Sequence, residues 1–204
     1  MSTMGMATIR ALLVKDHRKW RRLALGAVLL AAAVLVILTG HTQSALAAGN
    51  LVSNPSFEQD IDGNGIPDGW TPYDLTSADK RVCNQSYVGA CSFKMQVDGT
   101  GKILYQDILV GGGVGESYKF TFWVKGKNIP SGDDQYIVIY FFHTDGSIES
   151  VYLIVPSGNF AWTKYVLNTT SDEPYDSLEI QINELTGSSG GKLWVDKMKL
   201  VRSP

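Results

Sequence analysis

A run of nine residues, 60–68, has side chains and spacing suited to calcium. Oxygen-bearing side chains stand at its first, third, fifth and ninth positions, which are Asp60, Asp62, Asn64 and Asp68. Gly65 at the sixth position permits a sharp turn, and the backbone carbonyl of Ile66 follows at the seventh. Calcium prefers several oxygen ligands, so this spacing favours a calcium-binding loop over a plain polar turn.

The same run lacks part of an EF-hand. The bidentate glutamate expected at the twelfth position is replaced by Thr71, and no helices are predicted on either side. The run therefore resembles the calcium loops of thrombospondin-type repeats more than a regulatory EF-hand. A structural calcium ion is the cofactor that we expect here.

Two predicted strands and a third of undecided register carry residue types that recognise sugars. Trp123 stands among polar neighbours on the outward side of its strand, where its ring would pack against the apolar face of a pyranose. A tryptophan packed under a loop gives the same pattern. Tyr140 supplies a second ring if its strand takes the matching register. Three side chains on the polar side of the strand near residue 180 would bind sugar hydroxyls: Glu179, Gln181 and Asn183.

Patterns typical of enzymes are weak in this chain. Residues 187–191 match the G-x-S-x-G nucleophile elbow, but a predicted strand follows the serine where that motif needs a helix. His143 is the only histidine after residue 47, which excludes a multi-histidine metal site and leaves no convincing Ser-His-Asp set. Glycoside hydrolysis needs two carboxylates on either side of the sugar, and the sequence does not show which ones meet; examples are Asp107, Glu149, Glu179 and Glu184. A hydrolase or lyase is therefore the minority interpretation.

The first 47 residues differ in composition from the rest. They hold six of the 18 Lys and Arg but one of the 20 Asp and Glu, and the basic residues precede an apolar run, 23–38, and Ala45-Leu46-Ala47. That order predicts a signal peptide over 1–47, with an uncleaved anchor as the alternative and the only route to a membrane. The expected product is a secreted, extracellular domain, 48–204. Its 12 basic and 19 acidic groups leave a net charge of −7, which disfavours nucleic acid as a partner.

Exported proteins meet an oxidising environment, in which disulfides form. We therefore expect the two cysteines, Cys83 and Cys91, to be bonded to each other. Closing a loop of this length stabilises a fold by about 2.6 kcal/mol in the chain-entropy model. Redox chemistry favours a Cys-x-x-Cys spacing, which is absent, so the bond is expected to be structural.

Residues 48–204 have the composition and the regularly spaced turn signals of a single all-β domain. They contain only four alanines but many β-branched and aromatic residues, and turn signals such as Asp98-Gly99 separate short patterned runs. Strands are predicted over 70–76, 92–97, 102–110, 117–125, 135–143, 148–155, 162–169, 177–185 and 192–201. Such regular short strands predict a β-sandwich, specifically a jelly roll.

Four strings in order along the domain carry a family resemblance. They lie at residues 50–58 with 69–70, 118–126, 162–165 and 192–196. Together they resemble the jelly-roll carbohydrate-binding modules appended to cellulases and xylanases, of the kind grouped in families four, nine and twenty-two, a galactose-binding-domain-like sandwich. The resemblance implies a non-catalytic domain whose concave face or loop edge holds sugar.

The resemblance also implies a structural calcium that ties the N-terminal segment to the last strand, at Glu58 and Asp196. We therefore expect a monomeric, calcium-stabilised module that binds a polysaccharide or other glycan. A structural or adhesive cell-surface domain with the same sandwich and no sugar affinity is the alternative.

Overall fold

The computed structural model describes residues 49–203, which form ten β-strands. The predicted signal peptide, with its cleavage site, lies outside these residues. No helix within 49–203 is long and apolar enough to cross a membrane. The strands, in chain order, are β1 (Thr71–Tyr73), β2 (Lys80–Val82), β3 (Ser92–Asp98), β4 (Lys102–Ile108), β5 (Ser117–Ile129), β6 (Gln135–His143), β7 (Ile148–Ile154), β8 (Gly158–Thr170), β9 (Tyr175–Glu184) and β10 (Ser189–Arg202).

The strands are divided equally between two antiparallel sheets. The front sheet has the order β1-β4-β9-β6-β7, and the back sheet has the order β2-β3-β10-β5-β8. From β3 to β10 the chain crosses to the other sheet at every connection except the β6–β7 hairpin. This arrangement confirms the predicted jelly-roll β-sandwich.

The core lies between the two sheets and is built by alternating side chains. On β5, Phe120, Phe122 and Val124 have no exposed surface, and on β9, Ile180 and Ile182 are equally buried. Successive side chains of a strand point to opposite faces, so the intervening residues of both strands point outward. The predicted inward sides of β5 and β9 are confirmed.

Strand β6 is apolar on both sides, so its register is decided by its neighbours. Ile137 is opposite Ile182 of β9, and Ile139 is opposite Ile180, which places both β6 residues in the core. Side chains alternate along a strand, so placing Ile137 and Ile139 in the core fixes the direction of their neighbours. Tyr136 and Tyr140 therefore lie on the outward side of the front sheet.

The prediction missed strand β2. It has three residues and too little alternation to signal a strand, and it forms because it pairs with β3, where Arg81 is opposite Phe93. Strand β8 also begins earlier than predicted, at Gly158, because β5 continues to Ile129 and gives it a partner.

A buried ion cluster joins the two sheets at one end of the core. Lys102 has no exposed surface, and its Nζ lies 3.0 Å from Asp79, 2.8 Å from Asp98 and 3.2 Å from Glu184. Lys102 and Glu184 belong to the front sheet, whereas Asp98 ends β3 of the back sheet. Burial opposes the charged form of Lys102, but hydrogen bonds to Asp98 and Asp79 raise its pKa on balance. Burial raises the pKa of Glu184.

Replacing Lys102 by Met leaves three carboxylates without a buried cation. We expect the free energy of unfolding at pH 7 to fall by about 3 to 5 kcal/mol, as when one member of a buried ion pair is removed. The loss should shrink as the pH falls, because protonating Glu184, whose pKa is raised by burial, removes one of the three unpaired negative charges from the folded variant. Urea denaturation at several pH values measures this, with exposed Lys119→Met as the control. A loss that is small or independent of pH would contradict the role of the cluster.

Candidate functional site

The side chains of β4, β9, β6 and β7 that point away from the core lie on one side of the front sheet, here called the front face. Those at its centre, on β9 and β6, are buried. Pairing across the sheet aligns the side chains of all four strands in rows. The three central rows, from β4 to β7, are Ile103, Asn183, Tyr136 and Ile154; Tyr105, Gln181, Val138 and Tyr152; and Asp107, Glu179, Tyr140 and Ser150. Tyrosine rings therefore flank a central line of amide and carboxylate side chains that runs along β9.

The front face brings together four of the five predicted sugar-binding residues. Tyr140 is directly opposite Glu179, and Gln181 and Asn183 follow at alternate positions of β9. The Gln181 side-chain nitrogen donates a short hydrogen bond to Glu179 Oε1. Asn183 Nδ2 is buried and makes no hydrogen bond, so its donor is not used within the domain. This line offers both donors and acceptors beside aromatic rings.

Sequence analysis missed the tyrosines that border this line. Tyr105 of β4 is opposite Gln181, and Tyr152 of β7 is opposite Val138 in the same row. The available signal was alternation in β4, where Tyr105 and Asp107 stand between the apolar Leu104 and Ile108. That pattern identifies an outward side but not the strand beside it.

The predicted disulfide is confirmed and shapes the opposite side of the sandwich. The Cys83–Cys91 bond, with an S–S distance of 2.06 Å, closes residues 83–91, here called the disulfide loop. Backbone amides of Tyr87 and Val88 donate to Asp196 Oδ2 at 2.7 and 2.9 Å. The loop is thereby attached to β10 of the back sheet.

Trp123 does not share the front face, which corrects the single site expected from sequence. It lies on the back sheet, where β5 pairs it with Asp196 and Lys164. Its ring stacks on Tyr87 of the disulfide loop, with ring centroids 3.5 Å apart and planes at 16°. Alternation along β5 shows that Trp123 points outward but not from which sheet. The structure therefore has the alternative arrangement given by the sequence, in which the tryptophan packs under a loop.

The calcium-like run 60–68 folds with its oxygens turned onto its own backbone. Asp60 Oδ2 accepts from the Gly65 amide at 3.2 Å, Asp62 Oδ1 from the Asn64 amide at 3.2 Å, and Asn64 Oδ1 from the Ile66 amide at 2.6 Å. The second oxygen of Asp62, Oδ2, accepts from Asn64 Nδ2 at 2.8 Å. The Asp68 carboxylate accepts from the Ile61 amide, and Asp60 Oδ1 is buried with no hydrogen-bond partner.

The family-implied pair, Glu58 and Asp196, meets at the disulfide loop. Glu58 Oε1 accepts from the Ala90 and Cys91 amides at 2.9 and 3.2 Å. Asp196 has no exposed surface, and burial raises its pKa, with the charge of Glu58 acting in the same direction. Both carboxylates are already occupied by amide donors.

Of the carboxylates considered for hydrolysis, only Asp107 and Glu179 share a surface, directly opposite each other on the front face. Glu184 is held by Lys102. Glu149 lies beside His143, whose Nε2 is 3.4 Å from Glu149 and 3.5 Å from Asp172. That trio is the only group of three His, Cys, Asp or Glu within 49–203 whose ligand atoms lie within 4.8 Å of one another.

Comparison with known proteins shows the fold and not a family. No family model matches the chain, and no curated protein matches it. Among solved structures, TmCBM61 in complex with β-1,4-galactotriose is similar with a TM-score of 0.54 and 18% identity, over 76% of this chain and 100% of that one.

Two other solved modules have the same fold. A family 16 carbohydrate-binding module matches with a TM-score of 0.55 and 23% identity, over 74% of this chain and 99% of that one. The CBM22-1 xylan-binding domain of Paenibacillus barcinonensis Xyn10C matches with a TM-score of 0.51 and 17% identity, over 76% and 96%. The chain therefore contains the jelly-roll β-sandwich that also occurs in carbohydrate-binding modules.

Proposed function

We propose that this domain is a secreted, non-catalytic module that binds a polysaccharide on its front face. The observation that carries the proposal is the register of β4, β9 and β6, which places a tyrosine beside each of Glu179, Gln181 and Asn183. The similarity in fold to modules named for galactotriose and xylan supports the same ligand class.

The chemistry of the front face suits an extended sugar chain. A pyranose has an apolar C–H face that packs on a ring such as Tyr140, and hydroxyls that pair with the Gln181 amide and Glu179 carboxylate. Four strands at about 4.8 Å spacing span roughly 14 Å, wider than a single sugar ring. Water competes for each hydroxyl bond, so we expect dissociation constants from about micromolar to millimolar.

Removing the central amide tests this surface. Gln181→Met keeps the side-chain volume but loses the donor and acceptor, so we expect binding to weaken by about tenfold. Affinity electrophoresis against galactan, xylan, mannan and β-glucan measures it, with Gln59→Met on an exposed loop as the matched control. A folded Gln181→Met protein that binds as tightly as wild type would place the site elsewhere. If wild type binds no polysaccharide, the structural-domain alternative is favoured.

A hydrolase is the second candidate, because Asp107 and Glu179 are opposite each other on the same face. Two carboxylates flanking a sugar are the minimum for glycoside hydrolysis. The same incubations distinguish the two functions. A binding module leaves the number of reducing ends unchanged, whereas a hydrolase increases it and loses that activity in Glu179→Gln.

Structural calcium belongs to the same proposal. The run 60–68 fits the ion through the unpartnered Asp60 Oδ1, and Asp62, Asn64, Asp68 and the Ile66 carbonyl would complete its oxygen set. Glu58 and Asp196 fit less well, because they accept from two and three backbone amides, whereas each side chain of the run 60–68 accepts from one. Calcium bound at Glu58 and Asp196 would tie the N-terminal segment to the last strand of the sandwich.

Calcium is therefore expected to raise the melting temperature. At a hundred times its dissociation constant the ion would add about 2.7 kcal/mol to the free energy of unfolding. Differential scanning calorimetry with calcium and then with chelator measures the shift. Asp60→Asn should abolish it, whereas Asp196→Asn and the exposed control Asp176→Asn should keep it. An unchanged wild-type melting temperature would exclude both sites.

A further inference from the structure

A second groove lies on the outer face of the back sheet, away from the front face. Its volume is about 810 Å³, within the roughly 300 to 1,000 Å³ of small-ligand sites. Strands β2, β3, β10 and β5 each contribute basic residues. The groove is here called the lysine groove, and the charged and aromatic residues of its lining are Lys80, Lys94, Lys125, Lys127, Lys192, Phe160 and Trp194.

The charge of the lysine groove is opposite to that of the domain. Five of the 12 basic groups after residue 47 line it, and no Asp or Glu does, although the net charge of residues 48–204 is −7. The charge of Asp79 acts to raise the pKa of Lys94, but the Asp79 carboxylate is bound by the buried Lys102. The groove is thus a concentrated positive patch on an acidic protein.

Strand pairing places like charges directly opposite each other in this groove. Lys80 is the cross-strand partner of Lys94, and Lys192 is the partner of Lys127. Such pairs destabilise a sheet. Burial and the charges of Lys192 and Lys80 lower the pKa of Lys94. A bound anion would remove this repulsion, so the arrangement is suited to an anionic ligand.

The rest of the lining suits a sugar. Trp194 lies between Lys94 and Lys125 in the register of the sheet, with the Lys125 ammonium 5.6 Å from its ring centroid. The Gln85 side-chain oxygen, on the disulfide loop, accepts from Lys125 Nζ at 2.5 Å. Asn84 and Asn159 add two more amides to the lining. Amide groups of this kind pair with hydroxyls.

We propose that the lysine groove binds an acidic polysaccharide, a sugar chain that carries carboxylate or sulfate groups. This site is separate from the front face and does not depend on the proposed function. A nucleic acid is disfavoured, because Trp194, only 8% exposed, offers little surface for base stacking, whereas the amides of the lining can pair with sugar hydroxyls without such a surface.

The test removes charge from the groove without changing its shape. The double variant Lys94→Gln with Lys192→Gln is compared with Lys119→Gln with Lys199→Gln, which removes two exposed lysines of the same sheet outside the groove. Isothermal titration at low salt uses polygalacturonate, dextran sulfate, neutral dextran and a DNA duplex as probes.

Wild type is expected to bind polygalacturonate, dextran sulfate or both, more weakly as salt increases, and not neutral dextran. The groove variant should bind at least about tenfold more weakly, whereas the control pair should stay within about twofold. The groove variant should also melt no lower than wild type, because it has lost like-charge pairs.

Three results would overturn the proposal: no binding of either acidic polysaccharide, equal weakening in the control pair, or tighter groove-dependent binding of DNA. Gln181→Met separates this site from the front face, since it should retain full binding of the acidic probe. If the front face binds no sugar, the expected binding of the acidic probe by the lysine groove is unchanged.

Discussion

Each strand of this sandwich has to bury one of its two sides, and the rest of the molecule follows from that constraint. Alternation has a period of two, so fixing one inward residue fixes every outward residue of the strand. Ile137 and Ile139 pack in the core against β9, and Tyr136 and Tyr140 must therefore point outward. The chemistry of the front face is a consequence of hydrophobic burial on the other side of the same strands.

The parts of the fold that depend on local pattern were predictable from sequence. The inward sides of β5 and β9 and the short disulfide between Cys83 and Cys91 each follow from a few neighbouring residues, and the structure confirms them. The rows of the front face were not predictable, since they join β4, β9, β6 and β7 across long stretches of chain. Trp123 shows the same limit, because its alternation is correct while its sheet is set by distant partners.

The two outer faces of the sandwich have different chemistry. The front face combines uncharged rings and amides with the acidic Asp107 and Glu179, whereas the lysine groove on the back sheet is uniformly positive. This difference in charge would keep an anionic ligand of the lysine groove away from Asp107 and Glu179 of the front face. A neutral sugar chain would not be subject to that selection, so the two proposed sites would discriminate ligands by charge.

The disulfide loop divides the back sheet and so defines the groove. Asp196 binds the Tyr87 and Val88 amides, and Tyr87 stacks on Trp123, so this end of the sheet is covered. Gln85, in the same loop, contacts Lys125 at the edge of the open part. Closing the loop covalently restricts its unfolded conformations. The bond between Cys83 and Cys91 therefore contributes to the groove by holding its wall in place, although neither sulfur lines it.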